Sequence, residues 1–277
     1  MVKRVKREDR KKATLGPAGT YSEMAAESWP GGEVLLKDGP EEVIDHVKEG
    51  GLGVLPIENS INGTVLRTLD LLITNHVMIK GEIMSRIEHC IIGDKSGGNI
   101  EKIVSHPQAL AQCRIYLKDR FPDAKLQGVE STAEAVHIVR ERCGTAAVAS
   151  ERAAERYDLY VLESSVQDVK TNVTRFFVLD SEDAGMTGID KTSIIFYVQN
   201  RPGALYDALG AFAREGINLT KLESRPSKQK LGDYLFIVDF KGHRKEDKVR
   251  SALKKLNEKT RYVKLLGSYP QGEKING

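Results

Sequence analysis

The sequence predicts an α/β protein in two parts, a larger portion of covered sheets followed by a small α+β module. Two observations carry this. From residue 13 to about 180, short apolar runs alternate with segments of helical period, the pattern of sheets with helices on both faces. After "DSEDAGMTGID" (180–190), a Gly-, Asp- and Ser-rich stretch that reads as a linker, the order changes to strand, helix, strand, strand, helix, strand. At 277 residues the chain has room for about two ordinary domains, each with its own core.

In the larger part the apolar runs predict strands at 13–15, 34–36, 52–56, 77–92, 102–105, 125–129, 145–149, 160–162 and 173–179. Apolar residues recurring at three and four predict helices at 20–29, 40–48, 64–74, 107–120, 132–142 and 150–156. In "STAEAVHIVRERCG" (131–144), Ser131 fits an N-cap, Glu134 completes a capping box and Gly144 is the stop. Strands alternating with helices predict open, mostly parallel sheets, whose ligands bind beyond the carboxyl ends of the strands. In the small part, strands at 192–198, 217–224, 232–240 and 262–266 and helices at 204–214 and 246–259 give the ferredoxin-like split unit.

Composition is that of a globular protein. Forty-two Lys and Arg against 39 Asp and Glu leave a net charge of +3, and much of the excess lies in "MVKRVKREDRKK" (1–12). No apolar segment follows this run, so it reads as a solvated basic arm, with a polyanion-binding arm as the lesser reading. No stretch is apolar for long enough to cross a bilayer. Neither membrane nor nucleic acid is expected as a partner. Cys90, Cys113 and Cys143 form no zinc or redox motif and read as buried thiols in a reducing compartment, the cytoplasm.

Four polar turns follow strands that should be buried. In "LGPAGTYSEMAA", Gly16 and Gly19 let backbone approach a ligand, and Thr20, Tyr21 and Ser22 open a helix whose free N–H groups favour an anion; a plain capping turn explains the same residues. In "LPIENSINGTV", Glu58, Asn59 and Ser60 at a strand exit suit a polar ligand or a simple turn. In "VSHPQALAQC", Ser105 ends a strand, His106 is a candidate acid or base, and Pro107 starts a helix. The fourth is "TNVTRFFVL" (171–179), where Thr174, Phe176 and Val178 share one face and Arg175, Phe177 and Leu179 the other. A guanidinium there must snorkel out, pair with a carboxylate or meet an anionic ligand. Walker, Rossmann and nucleophile-elbow motifs are missing, as is any metal-spaced His pair.

The motifs "GPAGTYS", "PIENSINGTV", "SHPQAL", "TRF" at 174–176 and "ESRP" at 223–226 stand in the order and approximate spacing of prephenate dehydratases with a C-terminal ACT regulatory domain. The chain resembles that family from about residue 13 to 270. The resemblance implies a two-lobed, type II periplasmic-binding-protein-like catalytic domain at 13–182, with lobe 1 at about 13–84 and 173–182, lobe 2 at about 87–168, and the active site between them. It further implies conversion of prephenate to phenylpyruvate, water and carbon dioxide in phenylalanine biosynthesis, without cofactor or metal. By this analogy Thr174 is the essential threonine and hydrogen-bonds the leaving hydroxyl. Arg175 and the helix starts near Thr20 and Pro107 meet the substrate's carboxylates, and Glu58 is a possible proton source. Ser22, Asn59, Ser60, Ser105, His106 and Phe176 complete the substrate set.

For residues 190–270 the resemblance implies a βαββαβ ACT domain that binds phenylalanine between subunits of a homo-dimer or homo-tetramer and lowers activity. Asn200, Gly203, Ala204, Leu205, Asn218, Leu219, Glu223, Ser224 and Arg225 are the implied effector residues. Where the family reads Gly-Ala-Leu-Val, this chain reads Gly-Ala-Leu-Tyr at 203–206. An arogenate or dual-substrate dehydratase and a non-catalytic amino-acid sensor are the alternatives, and the intact "TRF" argues against the sensor.

Overall fold

A computed structural model describes residues 9–95, 99–130, 132–226, 234–272 and 274–275. Ser131, expected as an N-cap, and residues 1–8 of the expected arm lie outside them. The rest of that arm is not a solvated tail. Lys12 opens the first strand, β1 (Lys12–Leu15), is 3% exposed and donates from Nζ to the Trp29 carbonyl. Arg10 makes a two-pronged pair with Asp180 at 2.8 and 2.7 Å, joined by Lys80. Burial opposes the charge on Asp180, but hydrogen bonds from Arg10 and Lys80 hold its carboxyl well below the usual range.

From β1 the chain runs through α1 (Tyr21–Ser28), β2 (Val34–Lys37), α2 (Pro40–Lys48), β3 (Leu52–Asn59), β4 (Gly63–Thr64), α3 (Leu66–Thr74) and β5 (Met78–Arg86). It then enters a second unit of β6 (Cys90–Gly93), β7 (Lys102–Ser105), α4 (Pro107–Gln112), α5 (Arg114–Arg120), β8 (Lys125–Gly128), α6 (Thr132–Glu141), β9 (Thr145–Ala149), α7 (Glu151–Arg156) and β10 (Tyr160–Glu163). β11 (Val173–Asp180) returns to the first unit. The small part comprises β12 (Asp190–Tyr197), α8 (Ala204–Ala213), β13 (Leu219–Pro226), β14 (Tyr234–Lys241), α9 (Asp247–Lys259) and β15 (Tyr262–Pro270), after which β16 (Lys274–Ile275) pairs with β5.

Among the described residues three sheets form, in the orders β16-β5-β11-β3-β1-β2 with β4 on β3, β10-β6-β9-β7-β8, and β13-β14-β12-β15. The two larger sheets are mixed rather than mostly parallel, because β11 returns antiparallel between β3 and β5, and β6 lies antiparallel to both β9 and β10. The single strand expected at 77–92 is two strands in different sheets. The chain changes sheet at 87–89, where the Ile87 N–H donates to the Asn172 carbonyl, so the outgoing and returning passages lie side by side. The helix expected at 107–120 breaks at Cys113, whose φ of −115° and ψ of 12° leave helical geometry. Cys90 and Cys113 are buried as expected, whereas Cys143 is exposed.

Period-two alternation decides how the third sheet packs. Ile194, Phe196, Phe236, Val238 and Phe240 face α8 and α9 in one core. Ile195, Leu235 and Ile237, with Leu266 and Tyr269 of β15, enter the core of the first sheet among Val43, Leu55, Leu69, Leu72 and Phe177. The small part is therefore buried on both faces and docked on the first unit. Lys264 pins this contact: its Nζ donates to the carbonyls of Leu72, Ile73 and Asn75 at 2.8, 2.9 and 2.8 Å, at the negative end of α3.

At the same contact Gly267 has φ +152°, and a Cβ there would sit 2.3 Å from the Ile79 carbonyl oxygen. Gly267→Ala should lower the melting temperature by roughly 5–10 °C through backbone overpacking, read by thermal melts followed by circular dichroism. An unchanged melting temperature would contradict the tight docking of β15 on β5.

Candidate active site

The alternation of β11 divides its side chains between two environments. Thr174 and Phe176 line a cavity of about 380 Å³ between the first and second units. Arg175 and Phe177 point the other way, toward the third sheet. The first unit also contributes Tyr21, Ser22, Asn59 and Val65 to the cavity, and the second contributes His89, His106, Gln108 and Gln112.

Asn59 sets the hydrogen bonding at Thr174. Its Oδ1 accepts from the backbone N–H groups of Ile61 and Asn62 at 3.1 and 3.0 Å and from the Asn62 side chain at 3.2 Å. Those donors fix the orientation of the amide, so its Nδ2 faces inward. Nδ2 then donates to Thr174 Oγ1 at 2.9 Å and to Asn172 Oδ1 at 2.7 Å. With its oxygen already accepting, the Thr174 hydroxyl keeps its own hydrogen for a group in the cavity.

The amide chain continues behind the cavity wall. The fully buried Asn172 donates from Nδ2 to Gln112 Oε1 at 3.2 Å, and His89 Nε2 lies 2.8 Å from the same oxygen. An amide oxygen cannot donate, so Nε2 carries the proton and Nδ1, buried without a hydrogen-bond partner, is the bare nitrogen. Burial lowers the pKa of His89, only partly offset by its Gln112 hydrogen bond, and keeps the ring neutral. Tyr21 stands edge-on to that ring, and its hydroxyl bonds the Glu88 carbonyl and accepts from the Glu88 N–H.

The cavity also meets the positive ends of three helices. Tyr21 and Ser22 begin α1, Val65 precedes α3, and His106 caps α4 by accepting from the Gln108 N–H at 3.2 Å. Their summed dipoles favour an anionic ligand without a buried cation in the wall.

A family model for prephenate dehydratase matches residues 13–184, more than half of the chain. The chain belongs to the prephenate dehydratase family. A model for the ACT domain matches residues 192–258. The bifunctional chorismate mutase/prephenate dehydratase of Aquifex aeolicus is 46% identical over 268 residues, 94% of this chain and 74% of that protein. The crystal structure of an Arthrobacter aurescens prephenate dehydratase in complex with L-Phe superposes with a TM-score of 0.86 at 31% identity, covering 94% of this chain and 90% of the other. A solved structure named GqqA, a novel type of quorum quenching acylase, superposes with a TM-score of 0.84 at 33% identity, covering 95% and 98%.

Of the prephenate dehydratase residues inferred from the sequence, Ser22, Asn59, His106, Thr174 and Phe176 meet at the cavity. Arg175 does not, because alternation turns it toward the third sheet, where it pairs with Glu82 and Asp239. Glu58 shares that side, pairs with Lys221 at 2.8 Å and is not among the residues that line the cavity. Thr20 caps α1, accepting from the Glu23 N–H. Ser60 bridges to the backbone of Thr171 and Val173, and the buried Ser105 donates to the Val148 carbonyl at 2.6 Å, so both hold the frame.

The effector set is divided as well. Pairing through Phe236 puts Ser224 level with Phe196, near the end of β12 that leads to Asn200, Gly203, Ala204 and Leu205. Leu219, next to Asn218, is level through Phe240 with Thr192, at the opposite end. Glu223 accepts from Thr64, and Arg225 pairs with Asp70 at 2.6 Å, both across the seam to the first unit. One chain therefore does not gather these residues at a single point.

Sequence reasoning missed His89, Gln112 and Asn172, and took Tyr21 only as a helix opener. The signal for His89 was present in "SRIEHCIIG" (85–93), a polar interruption of an apolar run too long for one strand.

Because His89 is depressed in the folded chain, the unfolded chain takes up a proton that the native state refuses as pH falls through about 6.5. Stability is thus lost on acidification through that window. His89→Gln should show a smaller drop in melting temperature between pH 7.5 and 5.5 than the parent; identical slopes would contradict a buried neutral imidazole.

Proposed function

We propose that this chain catalyses the decarboxylating dehydration of prephenate to phenylpyruvate and is inhibited by phenylalanine acting on the small domain. The observation that carries the reading is the Thr174 hydroxyl, held as an acceptor by Asn59 and left free to donate into the cavity. In the reaction the electrons of the ring carbon–carboxylate bond move into the ring as carbon dioxide departs, and the ring hydroxyl leaves from the opposite carbon. Aromatisation supplies the driving force. The protein has to hold the dianion in a reactive conformation and stabilise the departing oxygen. Thr174 donates to that oxygen, which takes up a proton from solvent and leaves as water. The helix ends at α1, α3 and α4 favour the two carboxylates, while Arg175 is turned away and paired with Glu82 and Asp239.

Phenylalanine as effector is supported by the ACT match and by the L-Phe complex of the Arthrobacter protein. A homo-dimer or homo-tetramer is supported by the divided effector residues, which a single chain does not gather at one point. Arogenate differs from prephenate only in carrying an amino group for the keto group and fits the same machinery, so both substrates belong in the assay. Cytoplasmic residence suits this biosynthetic reaction, and among the described residues no helix is long and apolar enough to cross a membrane.

Purified protein mixed with prephenate at neutral pH should form phenylpyruvate, and Thr174→Ala should lower turnover roughly ten- to thousand-fold with the fold retained. Asn59→Asp replaces the donor with an acceptor, turns the Thr174 hydroxyl inward, and should lower turnover about ten-fold or more. Turnover near that of the parent in both variants would overturn the role of Thr174. Turnover of arogenate alone would shift the substrate.

A further inference from the structure

Arg175 follows the reacting threonine in the chain, yet it faces away from the cleft and is 5% exposed. Its guanidinium is engaged on every edge. Nε donates to Glu82 Oε2 at 2.6 Å, Nη1 to Asp239 Oδ2 at 2.5 Å and Nη2 to the Tyr269 hydroxyl at 2.9 Å. Its plane stands over the Phe177 ring, 4.7 Å from the centroid. Around this first set, Ser193 donates to Asp239 at 2.6 Å and bonds the Tyr269 hydroxyl at 2.5 Å, while Lys191 reaches Glu82 at 2.9 Å. Asp239, Tyr269, Ser193 and Lys191 belong to the small domain, and Glu82 and Arg175 to the first sheet. The cluster therefore crosses the domain seam directly behind Thr174.

Stability does not account for it. A buried ion cluster is often no more stabilising than apolar side chains of equal volume, and apolar residues of both units pack around this one. What a guanidinium adds is geometry, because its rigid planar fork fixes three partners relative to one another. The strand needs such a fixing point here. Between β11 and β3 the register skips a residue, with Arg175 opposite Glu58 and Phe176 opposite Pro56, so the ladder is interrupted immediately after Arg175, next to Thr174.

We propose that Arg175 is a positioning residue that clamps β11 to the small domain's sheet, so that the placement of the Thr174 hydroxyl follows the state of that sheet. The inference rests on the assignment of Thr174 as donor to the leaving hydroxyl and of phenylalanine as effector. Phenylalanine bound to the small domain then alters turnover by shifting Asp239 and Tyr269, and with them Arg175 and its neighbour in the chain.

The test uses the full chain with Asp239→Asn and Tyr269→Phe, which change the small-domain side of the clamp and touch neither the cleft nor the expected effector residues. Asp239→Asn should lower kcat for prephenate about five-fold or more, with KM within about two-fold, and raise the half-inhibitory phenylalanine concentration about five-fold or more. Tyr269→Phe removes one hydroxyl and should move kcat and inhibition in the same directions by less, which decides the matter if Asp239→Asn does not fold. A merely structural role predicts a lower melting temperature with parental kcat per folded molecule and parental inhibition, and that result would overturn the clamp. Failure of the underlying assignment reads differently: the parent protein would then form no phenylpyruvate, or Thr174→Ala would match it.

Discussion

A guanidinium cannot shed its charge on burial, and the placement of Arg175 constrains everything around it. Desolvation works against the buried cation, but Tyr269, Asp239 and Glu82 more than offset it, so the group stays charged inside the seam. Leaving any one of its carboxylates without a counter-charge would be costly, which ties β5, β11, β12, β14 and β15 into one arrangement. Alternation along β11 does the rest. Once Arg175 is committed to the seam, Thr174 and Phe176 must face the opposite side, where the two larger units meet.

That opposite side is built from neutral polar groups. Asn59 is oriented by its own turn, Asn172 and Gln112 extend the amide chain, and His89 ends it as an uncharged ring. Such a wall suits a substrate that brings its own negative charge and its own driving force. It orders donors around the cavity, and the helix ends supply the positive potential. The same strand thus lines the cleft with one face and meets the small domain with the other.

Much of this was readable from local pattern. Period-two alternation in "TNVTRFFVL" separated Thr174 from Arg175, and the β-α-β-β-α-β order marked the small domain. What failed was non-local. Nothing near Arg175 in the sequence says that its face meets a third sheet, so local pattern does not choose among snorkelling, a carboxylate partner and an anionic ligand, and the resemblance alone put Arg175 and Glu58 at the cleft. The clue lay sixty-four residues away in "YLFIVDFK" (234–241), a run apolar on both faces with one aspartate, Asp239, inside it, as expected of a strand buried on both sides. The antiparallel return of β11, the change of sheet at 87–89 and the capture of Lys12 by β1 likewise depend on partners far along the chain. His89 and Asn172 escaped notice because their roles depend on Gln112, a residue of the second unit that meets them only in the folded cleft.

The most direct measurement of the link between strand and regulatory sheet is amide hydrogen exchange of the full chain with and without phenylalanine, followed peptide by peptide. If the seam cluster couples the domains, phenylalanine will change protection in β14 and in β11 around Thr174 together, while β7 and β8 at the far edge of the second sheet stay constant. A change confined to β12, β13 and α8, with β11 unaltered, would contradict the account.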